Sequence, residues 1–186
     1  MPASGRAILE RLNAISRKGF VRDERGVTLI EFALLAVPFF VLVGAMIETS
    51  LIFFAGQVLD SAVGDASRLI RTGQAQASSI GSSGFRTQVC DKLFGLFNCN
   101  DLKIKVSTIT DFNSASTALD LQPIDPNDGS WKFTETYQPG AGSSIVMVQA
   151  FYKWPALFDF AGLNLADQPD GSRLLGSVRV FRNEPF

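Results

Sequence analysis

RDERGVTLIEFALLAVPFF, Arg22 to Phe40, sets a basic, polar run against an apolar one, with Gly26 at the junction and a carboxylate, Glu31, just inside the apolar side. From Phe32 to Ile47 sixteen residues pass without a charge, and after Glu48, Thr49 and Ser50 the apolar run resumes as LIFFAG. Phe32 through Phe54 gives 23 mostly apolar residues. At about 1.5 Å per residue they make roughly 35 Å of helix, enough to cross a hydrocarbon core of about 30 Å. Pro38 inside this run removes one N–H and crowds the carbonyl of Leu34, which predicts a kink or local loosening that membrane helices tolerate. Glu48 falls near the far interface, where it is either an ordinary headgroup-boundary carboxylate or a polar contact between packed helices. The apolar run exceeds the core of a secretory signal peptide, and no small-residue cleavage site precedes Glu48.

Charge orients this helix. Residues 1–26 hold six Lys/Arg against three Asp/Glu, whereas the rest of the 186-residue chain is mildly acidic and the net charge is -1. The positive-inside rule therefore places residues 1–26 in the cytoplasm and the part after about residue 55 on the far side. The balance does not suit a nucleic-acid binder. Histidine is absent, which excludes a Ser-His-Asp or Cys-His unit and His-ligated zinc. Cys90 and Cys99 enclose eight residues, a spacing that matches no zinc or redox motif but closes readily as a disulfide outside the cytosol.

Beyond the span, Val58, Leu59, Ala62, Val63, Ala66, Leu69 and Ile70 continue the helical spacing, and Gly73 is its expected stop. Residues 74–84 read as a loop, and Phe85–Phe97 as a short amphipathic helix with Phe85, Val89, Leu93, Phe94 and Phe97 on its apolar face. Strands are predicted at Leu102–Thr110, Ser144–Tyr152 and Ser177–Arg182, with a weaker fourth at Trp131–Tyr137. Lys103 and Lys105 alternate with apolar residues and read as the wet face of their strand. Strands grouped after helices give an α+β class with an antiparallel sheet of about four strands. The expected organisation is a basic leader (1–26), a long helix (27–73) with its membrane part at about 32–54, and a small α+β domain (74–186).

Asp125-Pro126-Asn127-Asp128-Gly129 lacks the glycine and glutamate positions of a calcium loop and reads as a turn, as does Gly140-Ala141-Gly142. No grouping of acids, nucleophiles or glycines assembles into a catalytic site, and neither a metal nor a cofactor is expected.

RGVTLIEF at the join of a basic leader and a long apolar helix resembles the processing site of type IV pilin-like proteins. With Pro38, Glu48 and the run DASRLIRTGQ (Asp65 to Gln74), residues 22–74 resemble the TadE/TadG-like minor pseudopilins of tight-adherence (Tad) pilus systems. The resemblance implies a pilin-like fold and cutting between Gly26 and Val27 by a prepilin peptidase. It also implies a single-pass bacterial inner-membrane protein with a periplasmic domain, which acts in pilus initiation, adhesion and biofilm formation. The implied partners are other pseudopilins, the much smaller major Flp-type pilin, the inner-membrane assembly platform and the lipid bilayer.

The new α-amino group at Val27, with a reference pKa of about 8, would be largely protonated at neutral pH. Glu31, about 6 Å farther along the helix, would pair with such an amine on a neighbouring subunit and set register. Phe32 and Pro38 belong to the same packing segment, with Pro38 a flexible point for leaving the bilayer. Thr28 and Glu31 also match a capping box. An unprocessed assembly factor, a periplasmic binding module and a membrane-tethered enzyme are the competing readings.

Overall fold

The computed structural model describes residues 26–157 and 165–186. The chain divides between Gly44 and Ala45 into two compact units. Helix α1, Val27–Arg71, is continuous over 45 residues with Pro38 inside it.

In the first unit none of the residues 27–44 is buried. Leu29 is 73%, Phe32 68% and Leu34 71% exposed, and Leu35, Phe39 and Phe40 are exposed as well. A helical stretch that is apolar all round and uncovered by the described residues suits an apolar surrounding. The most apolar 18-residue window of α1 has a mean hydropathy of 2.4 and no buried residue, so one helix is long and apolar enough to cross a membrane.

In the second unit α1 turns a face of Ile52, Ala55, Val58, Leu59, Ala62, Val63, Ala66 and Ile70 into the core. Three alanines on that face hold the helix close to what it packs on. The helix ends where expected: Gly73 has φ 78°, and a Cβ there would meet the Phe186 ring at 2.6 Å. The C-terminal tail fastens this end, since the Glu184 N–H donates to the Arg71 carbonyl and Asn183 Nδ2 donates to the carbonyls of Pro139 and Ala141.

Two expectations for the next segment need correction. Residues 74–84 are not one loop, because α2 forms at Gln74–Ala77 and α3 begins at Ser82. The helix expected over 85–97 is α3, Ser82–Cys90. Two residues nine apart in one helix stand about 14 Å apart, beyond the reach of a disulfide. Cys90 and Cys99 are bonded with their Cα atoms 6.0 Å apart, so the chain has to leave the helix. It does so through turns with Phe94 at φ 52° and Gly95 at φ 72°. Leu93 and Phe97 still reach the core, while Phe94 is 81% exposed.

The sheet has three strands, β1 (Lys103–Ile109), β2 (Ile145–Pro155) and β3 (Ser172–Arg182), in the order β1-β2-β3 and antiparallel throughout. Val106 pairs with Val148 and Val148 with Arg179. Val146, Val148, Ala150 and Tyr152 join the helix-side core with Ile104, Val106 and Leu175.

The weak fourth strand is not one. Residues 131–137 touch their neighbours through isolated bridges, Tyr137 beside Val106 and Trp131 beside Ile124. The Val106 N–H donates to the Thr136 carbonyl and the Gln138 N–H to the Val106 carbonyl, so this segment covers the outer edge of β1. The second face of the sheet is likewise not simply wet. Phe133 stacks edge-on against Phe151 at 5.1 Å, and Lys105 Nζ lies 2.8 Å from Asp120 and 5.8 Å from the Phe133 centroid. Gln149, fully buried in β2, accepts from the Asp120 N–H and donates to the Ala118 carbonyl. Ala118 closes the short helix α4 (Ala115–Ala118) within the long β1–β2 connection.

Candidate functional site

The sequence motif lies at the very start of α1. Gly26 is exposed and immediately precedes the first α-helical residue, Val27, itself 47% exposed. A Cβ added to Gly26 would meet nothing within 4 Å. Among the described residues the fold therefore sets no steric need for glycine there. Glu31 is exposed among apolar neighbours. The capping box is not formed: α1 already includes Thr28, and among the described residues neither Thr28 nor Glu31 has a side-chain hydrogen bond. Phe32 and Pro38 share the uncovered stretch.

Glu48 stands elsewhere. It is 2% exposed, and its Oε1 accepts the Leu157 N–H at 2.9 Å. A buried carboxylate is tolerable where donors meet it. Protein cover on α1 thus begins at Glu48 and Ile52, inside the stretch that hydropathy alone marks as the span. The stretch 27–47 is 21 residues long, about 32 Å of helix, and still matches a hydrocarbon core.

Several polar clamps were beyond sequence reasoning. Asp60 on α1 accepts from Ser177 Oγ at 2.8 Å and from the Arg179 guanidinium, both on β3. Arg86 on α3 donates to the carbonyls of Cys99 and Leu102 and pairs with Glu135, which also accepts the Ile104 N–H at 2.9 Å. Lys153 pairs with Asp170 at 2.7 Å, donates to the Gly129 carbonyl and lies 5.3 Å from the Trp131 centroid. The partners are 49 to 119 residues distant for the Arg86–Glu135 and Asp60–Arg179 pairs, and no local pattern announces them.

The Lys153 ammonium and then the Ser172 hydroxyl bond to Asp170 and bring its carboxyl down to about 2. Lys132 lowers Asp125, and the backbone N–H of Ser130 lowers Asp128. These two carboxylates cap the 125–130 turn, where Asn127 N–H donates to Asp125 and Gly129 has φ 72°. Burial raises the Tyr137 phenol. Among the described residues no group of three or more His, Cys, Asp or Glu is placed to hold a metal ion.

Residues 26–68 match the TadE-like protein family. The matched segment starts at the motif glycine and ends near the close of α1. No curated protein matches the chain. No solved structure matches it either.

Proposed function

We propose that this chain, whose long helix matches the TadE-like proteins, is a minor pseudopilin of a Tad-type pilus that is cut after Gly26 by a prepilin peptidase. Its helix crosses the inner membrane over about residues 27–47, with residues 1–26 cytoplasmic and the α+β unit periplasmic. It acts in pilus initiation and surface adhesion beside a second pseudopilin and the major Flp-type pilin.

The observation that carries this reading is that three boundaries fall within one residue of each other. Family similarity begins at Gly26, α-helix begins at Val27, and the basic leader ends between them. A glycine with no steric duty in the fold supports access by a protease. Uncovered apolar side chains on every side of residues 27–44 support a helix that exchanges lipid for neighbouring helices in a fibre. The disulfide supports an oxidising compartment for the second unit.

Intact-mass measurement of protein extracted from its native membrane tests the reading. A mature chain that begins at Val27 is expected. A chain that retains its leader in a strain making Tad pili overturns processing and favours an unprocessed assembly factor.

A further inference from the structure

The turns inside the Cys90–Cys99 loop present an apolar pair that the core does not use. Phe94 and Gly95 both have positive φ, and across the reversal they make Leu93 and Phe97 are buried while Phe94 and Leu96 stay exposed. A tight turn calls for glycine or asparagine, and a bulky residue in the left-handed region is uncommon. A phenylalanine kept there and left open to its surroundings points to a contact outside the fold.

Packing fixes the level of this loop along α1. β2 runs against the helix: it begins beside the bonds that hold Asn183 to Ser144 and Glu184 to Arg71, and the chain leaving it reaches Glu48 through Leu157. Phe97 packs edge-on against Trp154, with ring centroids 5.4 Å apart, and the Asn98 N–H donates to the Tyr152 hydroxyl. Trp154 precedes Leu157 by three residues, at most about 10 Å of extended chain. The same distance along α1 from Glu48 ends at about Ala55. The loop therefore stands at the end of the second unit where α1 enters it, level with Phe53 and Phe54.

The uncovered apolar surface of α1 reaches that level too. Glu48 is buried and bonded to Leu157, so its charge sets no limit to immersion. Thr49 and Ser50 return their hydroxyls to the carbonyls of Ala45 and Met46 at 2.8 Å, which satisfies them without water. Beyond them Leu51, Phe53 and Phe54 are exposed.

Resting on the reading that α1 crosses a bilayer, we propose that the turn carrying Phe94 and Leu96 inserts into the interfacial layer of that bilayer and seats the second unit on the membrane surface. Lipid is the occupant because the pair lies level with the last uncovered apolar residues of the span. The neighbouring exposed charges, Asp91 and Lys92, offset each other, so the contact is apolar and does not select anionic headgroups.

The full-length protein, reconstituted in phosphatidylcholine vesicles with photoreactive p-benzoylphenylalanine in place of Phe94, Phe40 or Phe112 in turn, tests this by mass spectrometry of the adducts formed on illumination. All three positions are exposed and keep a phenylalanine backbone and ring, so the fold is retained, which far-UV dichroism checks. Phe112 follows β1 at its opposite end, where Ile109 pairs with Ile145. Lipid adducts are expected from Phe40 and from Phe94, with a yield at Phe94 several-fold above that at Phe112. Adducts from Phe40 but none from Phe94, equal yields at Phe94 and Phe112, or a crosslinked dimer from Phe94 in place of lipid each overturn the seating while the span stands. No lipid adduct from Phe40 overturns the span, and the seating with it.

Discussion

Glu48 and Leu157 are 109 residues apart in the chain, and the Leu157 N–H donates to the Glu48 carboxylate at 2.9 Å. The bond ties α1, at the point where protein first covers it, to the segment that leaves β2. Removing the acceptor leaves a backbone N–H without its partner, at a cost of about 1–3 kcal/mol. E48A is therefore expected to lower the thermal midpoint of the folded unit by several degrees, and E48Q, which keeps one acceptor oxygen, by less. Thermal melts followed by circular dichroism check this, and a midpoint unchanged in E48A refutes it.

The Cys90–Cys99 bond closes a short loop in which the chain turns away from α3. In the chain-entropy picture such a closure stabilises by about 3 kcal/mol. C90S/C99S is expected to unfold at lower urea, and the wild type with dithiothreitol to behave like it. Coincident urea curves for oxidised and reduced wild type would show that the bond adds nothing.

The parts of the fold that could be read ahead are those written by local periodicity. The apolar run of α1, its stop at Gly73 and the alternation in β1 and β2 each follow from neighbours within a few residues. The end of α3 was missed because Phe94 and Phe97 continue a helical spacing that the disulfide geometry overrides. Lys105 was misplaced because its strand pattern looks half-solvated, and only the long excursion between β1 and β2 brings Asp120 and Phe133 to it. The same holds at the candidate sites. The motif around Gly26 and Glu31 is local in the sequence, whereas the burial of Glu48 against Leu157 depends on a segment 109 residues away.

Acid should loosen the second unit in a defined window. Asp170, hydrogen-bonded by Lys153 and Ser172, has its folded pKa lowered to about 2, below an unfolded value of about 4. A depressed carboxylate contributes stability that is fully present above about pH 4 and is lost as pH falls toward about 2. Asp125 and Asp128 shift in the same direction. D170N is expected to show a shallower loss of stability between these limits, with its whole curve set lower near neutrality. Urea midpoints taken across that range check the prediction, and parallel acid limbs in D170N and wild type contradict it.

Glu31 lies exposed in an otherwise apolar stretch, without a hydrogen-bonding partner among the described residues. Insertion scales assign a carboxylate at mid-membrane a cost of about 3 kcal/mol. Glutamine is cheaper to bury, so E31Q should enter the membrane at least as well as the wild type. A carboxylate kept for the freed amine of a neighbouring Val27 would lose that pairing, and E31Q should yield fewer sheared surface fibres from an undiminished membrane pool. Comparing membrane fractions with sheared pili separates insertion from assembly. Wild-type fibre yield from E31Q would mean that the carboxylate sets no register between subunits, and its place in the helix would then need a cause other than assembly.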